Sequence, residues 1–310
     1  MKRLEADSFD KARNFLMTNG RNLEKELYRF EFEAGSKEEV LEALKAYQNE
    51  DGGFGKKMEA DFQLDCSSPM ATSHAFQIFK ALDVSGEHAM VKDAIGYLID
   101  SYDDVNGRWH AVPPEVNDVP HAPWWHYDHE HKRVMVEAAW GNPNAELTGY
   151  LLRYSELVPK ELRENLKSRS LSHFQELDTL DMHETFCYLR LADELDTEEK
   201  TLIVEKVKEH IPELVNMDRE QWKHYGMQPV QLATHPQSEF YSLLEKQVEE
   251  NLDYIISSQQ PDGSWLPNWE WGQYEEDWLK AREQWKGILT YQNLKLLKAY
   301  DRINHQLINT

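Results

Sequence analysis

A chain of 310 residues, 40% of them hydrophobic, is long enough to enclose one large core or two modest ones. Its formal net charge of -22 argues against nucleic acid and anionic membrane surfaces as partners, because phosphate contacts need clustered Lys and Arg. No window approaches the roughly 20 apolar residues of a membrane span, and two cysteines, Cys66 and Cys187, are too few for a disulfide framework and read as reduced thiols.

The chain opens on "MKRLEADSFDKARNFLMTNG", which has no apolar run resembling a signal peptide, so the expectation is a soluble cytoplasmic protein. The first strongly periodic helix is "EEVLEALKAY", with apolar residues at three- and four-residue steps. It runs into Gln48-x-x-x-Gly52-x-Phe54, where Asp51 precedes the glycine. Such a step supplies a backbone position with positive φ. The aromatic is expected to pack back on the helix ends and the glutamine amide to satisfy free backbone groups there. A phosphate-binding loop would instead follow a strand and end in a Lys-Ser/Thr pair, and neither is present.

Three acids follow, in Glu59-x-Asp61-x-x-x-Asp65. Ser68 suits an N-cap and Pro69 a first helical position, so the acids fall on a loop before the helix "MATSHAFQIFKALD". Loops at the end of a helical barrel commonly line its cavity. Carboxylates sharing a pocket push their pKa values apart, which leaves one protonated as a general acid. Glu59, Asp61 and Asp65 are therefore candidate catalytic groups, against the alternative of solvated loop acids.

The helix-like "VKDAIGYLIDSY" leads to a weaker copy of the turn, Asp103-x-x-x-Gly107-x-Trp109. Beyond it the prolines at 113, 114, 120 and 123 exclude a regular helix. A long Trp-, His- and Pro-rich loop is expected over 104–135, and long ordered loops in compact domains are often functional. Trp124 and Trp125 can wall an apolar pocket or stack on a cation or sugar ring. His121 and His126 can serve as acid–base groups near neutral pH or bind metal; His129 and His131 read as exposed. The bland alternative is a tryptophan pair that packs the loop down beside surface histidines.

Two helix-like stretches come next, "AELTGYLLRYSEL" and "MHETFCYLRLADEL". The second places His183 and Cys187 one turn apart. Such a cysteine usually packs as a small hydrophobe, with zinc ligation or a Cys-His nucleophile pair as the rarer alternatives. No cofactor is expected. Near the other end, "VEENLDYIISS" leads to a full copy of the turn, Gln259-x-x-x-Gly263-x-Trp265, with Asp262 before the glycine. Asn268, Trp269 and Trp271 follow directly and are candidate ligand-binding residues on a short extended segment, against a role in packing. The last helix, "GILTYQNLKLLKAYD", aligns with the one after the first copy on Thr72 and Thr290.

The first two copies lie 55 residues apart and the last two 156, so about five or six helix pairs fit the chain. Convincing alternating strands are few.

Gln-x-x-x-Gly-x-Trp/Phe between helices, as in "QNEDGGFG" and "QQPDGSWLPNWEWG", resembles the QW-type repeat of the terpenoid cyclase and protein prenyltransferase superfamily. The chain looks like a bacterial branch of prenyltransferase/squalene-cyclase repeat proteins. The resemblance implies an all-α fold, an α/α toroid with inner and outer helix rings, here as one domain over 1–310. It also implies a central cavity for a small-molecule ligand, with acid–base chemistry on an isoprenoid or other small hydrophobic substrate. On that reading Asp61 and Asp65 supply acid and base, His121, His126 and His183 assist, and Trp124, Trp125, Trp269 and Trp271 shape the pocket. The chain departs from the family's patterns: no stretch matches the cyclases' Asp-x-Asp-Asp, and Asp65 and Cys66 are adjacent where prenyltransferases space an Asp-x-Cys pair. A glycan-active toroid enzyme and a non-catalytic binding scaffold are the alternatives.

Overall fold

The computed structural model describes residues 1–304. Among them the chain is all-helical, as the periodicity predicts, and strand-like pairing is confined to isolated bridges. The helices are α1 (Ala6–Asn19), α2 (Asn22–Phe32), α3 (Lys37–Lys45), α4 (Pro69–Ala81), α5 (Ala89–Asp100), α6 (Gly141–Arg153), α7 (Lys160–Glu176), α8 (Met182–Ala192), α9 (Thr197–Glu209), the short α10 (Ile211–Leu214) and α11 (Pro229–Leu232), α12 (Tyr241–Ser258) and α13 (Glu275–Ala299). None is long and apolar enough to cross a membrane. The chain divides into two compact units, Lys45–Ile211 and Met1–Leu44 with Pro212–Thr310.

In the Lys45–Ile211 unit, α6 packs against α4, α7 and α8. Its residues 141–151 are all buried, including Asn142, Asn144, Glu146 and Thr148. A helix buried on every side must pair each polar side chain internally, and Thr148 does so by donating to the Asn144 carbonyl at 2.8 Å. Phe76 of α4 stacks on Tyr150 of α6, ring centroids 5.0 Å apart. α4 begins as its sequence predicts: Pro69 is its first residue, and the Ser68 hydroxyl accepts from the Ala71 N–H at 3.1 Å.

In the other unit, α13 packs against α1 and α2, and α11 against α12. Phe9 of α1 meets Tyr28 and Phe32 of α2 in an aromatic cluster. Arg302, almost wholly buried, donates to Glu249 at 2.5 Å and to Asp253 at 2.8 Å, and so ties the segment after α13 to α12.

The two full copies of the turn have the same local structure. Gly52 and Gly263 take φ of +86° and +92°. Asp51 and Asp262 each accept from the N–H two residues on, at 3.0 Å in both. The Phe54 and Trp265 N–H groups donate to the hydroxyls of Thr72 and Thr290. The glutamine amides, expected to satisfy helix ends, reach instead to the carbonyl of their own turn glycine and to a neighbouring helix: Gln48 to Gly52 and Met90, Gln259 to Gly263 and Ser8. The middle turn keeps the glycine, with φ of +62° at Gly107. There the Trp109 N–H donates to the Asn144 side chain, which stands in for the threonine.

Candidate functional site

The acidic segment is irregular backbone, as expected for a loop, and it is pinned at both ends. Lys56 and Lys57 N–H groups donate to the Asp65 and Leu64 carbonyls, while Gln63 N–H donates to Pro120 and Ala122 N–H donates to Asp61. The segment therefore joins the first turn to the Trp/His loop. Its three acids separate. Glu59 and Asp61 are buried, and Glu59 accepts from the Asp61 N–H at 2.9 Å. Asp65 is exposed, 3.9 Å from Lys57, on a surface depression of about 770 Å³ shared with Asn49, Asp51, Cys66 and Ser67. The carboxylates thus do not form one cluster. The chain between 59 and 65 runs back on itself, and its middle, residues 61–63, pairs with residues 120–122 of the loop.

Glu59 leads to a constellation that the sequence pattern did not single out. Its Oε2 lies 2.8 Å from His74 Nε2 of α4, off the axis of a well-formed hydrogen bond. One turn along the same face, Gln77 donates to Glu146 Oε1 of α6 at 2.9 Å. The Tyr150 hydroxyl donates to that oxygen at 2.6 Å, and Arg190 of α8 donates to Oε2 at 2.9 Å. Glu146 is thereby a saturated buried carboxylate that ties α4, α6 and α8 together. Burial works against the Arg190 charge, but Glu146, with Cys187 and Tyr150 adding to it, outweighs burial, and the pKa is raised.

His183 shares the α8 face with Arg190, seven residues earlier, and is open to solvent. Its pKa is nonetheless pushed down by the protein crowded around the ring, with Asp181 and Glu59 opposing and Arg190 reinforcing. Between His183 and Arg190, Cys187 is buried, its Sγ 3.7 Å from Glu146 and from Asn142. Burial first, then Glu146, pushes its thiol well above the usual range, which is the packing role its position suggested. One signal for this wall was present in the sequence: His74 and Gln77 stand at i, i+3 among the apolar residues of "HAFQIF".

The Trp/His loop contains three short 3-10 turns, Pro114–Asp118, Pro123–Trp125 and Met135–Ala138. Trp125 is buried edge-on against Phe62 at 5.2 Å, whereas Trp124 is half-buried. His121 is buried and His126 exposed, with Nε2 of the first 3.3 Å from Nδ1 of the second. His121 Nδ1 lies 2.6 Å from the Val119 carbonyl, which can only accept. The neutral His121 ring therefore carries its proton on Nδ1 and turns a bare Nε2 to His126. Burial lowers the His121 pKa, helped by His126. Glu137 holds the base of the loop. It is fully buried, accepts from the Ala111 N–H, and lies 3.6 Å from His110, whose pKa it raises.

In the other unit, Trp269 and Trp271 part company. Trp271 is buried against Trp278, while the half-buried Trp269 packs between Tyr225 and Trp285. Asn268 donates to the His224 carbonyl at 2.8 Å. Among the described residues, no three His, Cys, Asp or Glu side chains converge as a metal site. No protein-family model matches the chain, and no curated protein is significantly similar to it.

Proposed function

We propose that the chain is an α/α toroid of the terpenoid cyclase and prenyltransferase kind, with about five or six helix pairs, that binds and chemically transforms a small hydroxylated molecule. The scaffold reading is supported by what each turn docks on. The first copy rests on α5, the helix after its own pair, through Gln48–Met90 and the approach of Gly52 to Asp93. The last copy rests in the same way on α1, through Gln259–Ser8 and the approach of Gly263 to Lys11. In a closed ring the first helix follows the last pair, so α1 takes that place.

The observation that carries the chemical reading is the hydrogen-bonded run Gln77–Glu146–Arg190 across three adjacent helices, flanked by His74 over Glu59 and by His183. Polar groups arrayed on one wall suit hydroxyls better than hydrocarbon. Trp125 and Trp271 are engaged in packing, which favours a sugar-like ligand over an isoprenoid. His74, its Nε2 set 2.8 Å from the buried Glu59 carboxylate, is the acid–base group, and no cofactor is required. Catalytic hydrogen bonds are often misaligned until substrate is bound, which accommodates the off-axis approach of His74 to Glu59.

The test is thermal-shift and calorimetric binding with neutral sugars and polyols against farnesol and farnesyl diphosphate. Binding of the polyols, weakened in H74Q and Q77A, is the expected result. Binding of the isoprenoids alone overturns the hydroxylated-ligand reading.

A further inference from the structure

The same wall leaves one charged group half used. Arg190 donates through Nη1 to Glu146, and among the described residues its Nε–H and Nη2–H groups have no protein acceptor. Its side chain is 36% open while that of Glu146 is 3% open. Glu146 cannot swing to follow it, because Tyr150 and Gln77 hold the other carboxylate oxygen. The guanidinium is thus clamped at one corner, with its Nε/Nη2 edge left unengaged on a part-exposed side chain. That edge takes a carboxylate through two parallel bonds.

We propose that the Nε/Nη2 edge of Arg190 is a subsite for one carboxylate group of the ligand, with Glu146 as the positioning residue behind it. The inference rests on the reading of this wall as a site for a small hydroxylated molecule, and it narrows that class to hydroxy acids. His183, two turns back on the same face and so about 10 Å away, flanks the hydroxylated part of such a ligand. A monoanion fits better than a phosphate dianion. Arg190 is the one permanent cation in the run, and Glu146 and Glu59 share the wall, so a second negative charge meets repulsion without a second partner.

Binding of D-gluconate is compared with that of D-glucitol, which differs at one terminal carbon, and with acetate and D-glucitol 6-phosphate. The proteins are wild type, R190K, R190Q and E146Q/R190Q. The double variant removes both charges and supplies a folded control if R190Q alone does not fold. We expect gluconate to bind wild type roughly tenfold or more tighter than glucitol. R190Q and E146Q/R190Q lose that preference, and R190K, which keeps the charge but not the fork, retains part of it. A gluconate preference that is absent from wild type, or that survives in R190Q, overturns the subsite. Tighter binding of the phosphate ester overturns the carboxylate assignment. Polyols binding without carboxylate preference leave the general function standing and remove the subsite. Acetate binding through Arg190 with no polyol binding does the reverse. No binding by any of the four overturns both.

Discussion

Gln48 and Gln259 make the same pair of hydrogen bonds. Each side-chain amide donates to the carbonyl of its own turn glycine, at 2.9 and 3.0 Å, and to a carbonyl in the first turn of a neighbouring helix, at 3.1 and 2.8 Å. One residue type, placed four before a glycine, thus joins a turn to a neighbouring helix at two distant points of the chain.

The glycines of these turns are not interchangeable with helical ones. A Cβ on Gly52 meets the Asp93 carbonyl oxygen at 2.3 Å, and the position already has positive φ. G52A is expected to cost at least about 1–3 kcal/mol. Gly96 lies within α5, and a Cβ there meets nothing within 4 Å. G96A should gain about 0.5–1 kcal/mol from reduced chain entropy. Urea denaturation midpoints that move in opposite directions support the assignment, and equal shifts of the same sign contradict it.

Glu146 and Arg190 form a partly buried pair whose members depend on each other. R190Q leaves the Glu146 carboxylate buried without its cation, a loss of about 3–5 kcal/mol for a fully buried pair. Because Arg190 is one-third open, the low end of that range applies. E146Q/R190Q should recover most of the loss, and a double-mutant cycle reads the coupling. Additive single effects would mean that the pair is not coupled.

Two histidines of the long loop predict opposite pH dependences. His110 is held above its ordinary value, chiefly by Glu137. Its contribution to stability is whole below about pH 6.5 and is lost as pH rises through the raised native value. His121 is held below its ordinary value by burial, with His126 adding to the effect. Its contribution is whole above about pH 6.5 and is lost as pH falls through the depressed native value. Denaturation between about pH 5 and 8 should show the H110Q deficit shrinking as pH rises and the H121Q deficit shrinking as pH falls.

The cysteines should differ in reactivity. Cys187 is buried and its thiol is held protonated, so an aromatic disulfide reagent reaches it only on unfolding. Cys66 is exposed, but partial burial and the nearby carboxylates of Glu115, Asp51 and Asp65 raise its pKa. The native protein should therefore show a single slow-reacting thiol, abolished in C66S and accelerated in D65N. Two native reactive thiols would contradict the packing of α8 against α6.

The sequence by itself determined the elements whose causes are local. The period of "MATSHAFQIFKA" is enough for α4, the Ser68–Pro69 pair is enough for its start, and Asp-Gly or Asn-Gly steps are enough for the three turns, because capping and positive φ depend on neighbours within a few residues. The acids at 59, 61 and 65 were legible as a loop but not as two environments. Asp61 is drawn inward by the pairing of residues 61–63 with 120–122, a contact that no spacing rule encodes, and Glu59 accepts from its N–H, while Asp65 stays outside. The tryptophans at 125 and 271 were legible as chemistry-bearing residue types, but the aromatic partners they pack against, Phe62 and Trp278, are a matter of tertiary packing. Only the packing of α4, α6 and α8 brings Gln77, Glu146 and Arg190, separated by tens of residues, onto one hydrogen-bonded wall. A buried polar side chain takes its partner from whichever helix lies opposite it, and that choice belongs to the fold rather than to the residues on either side of it in sequence.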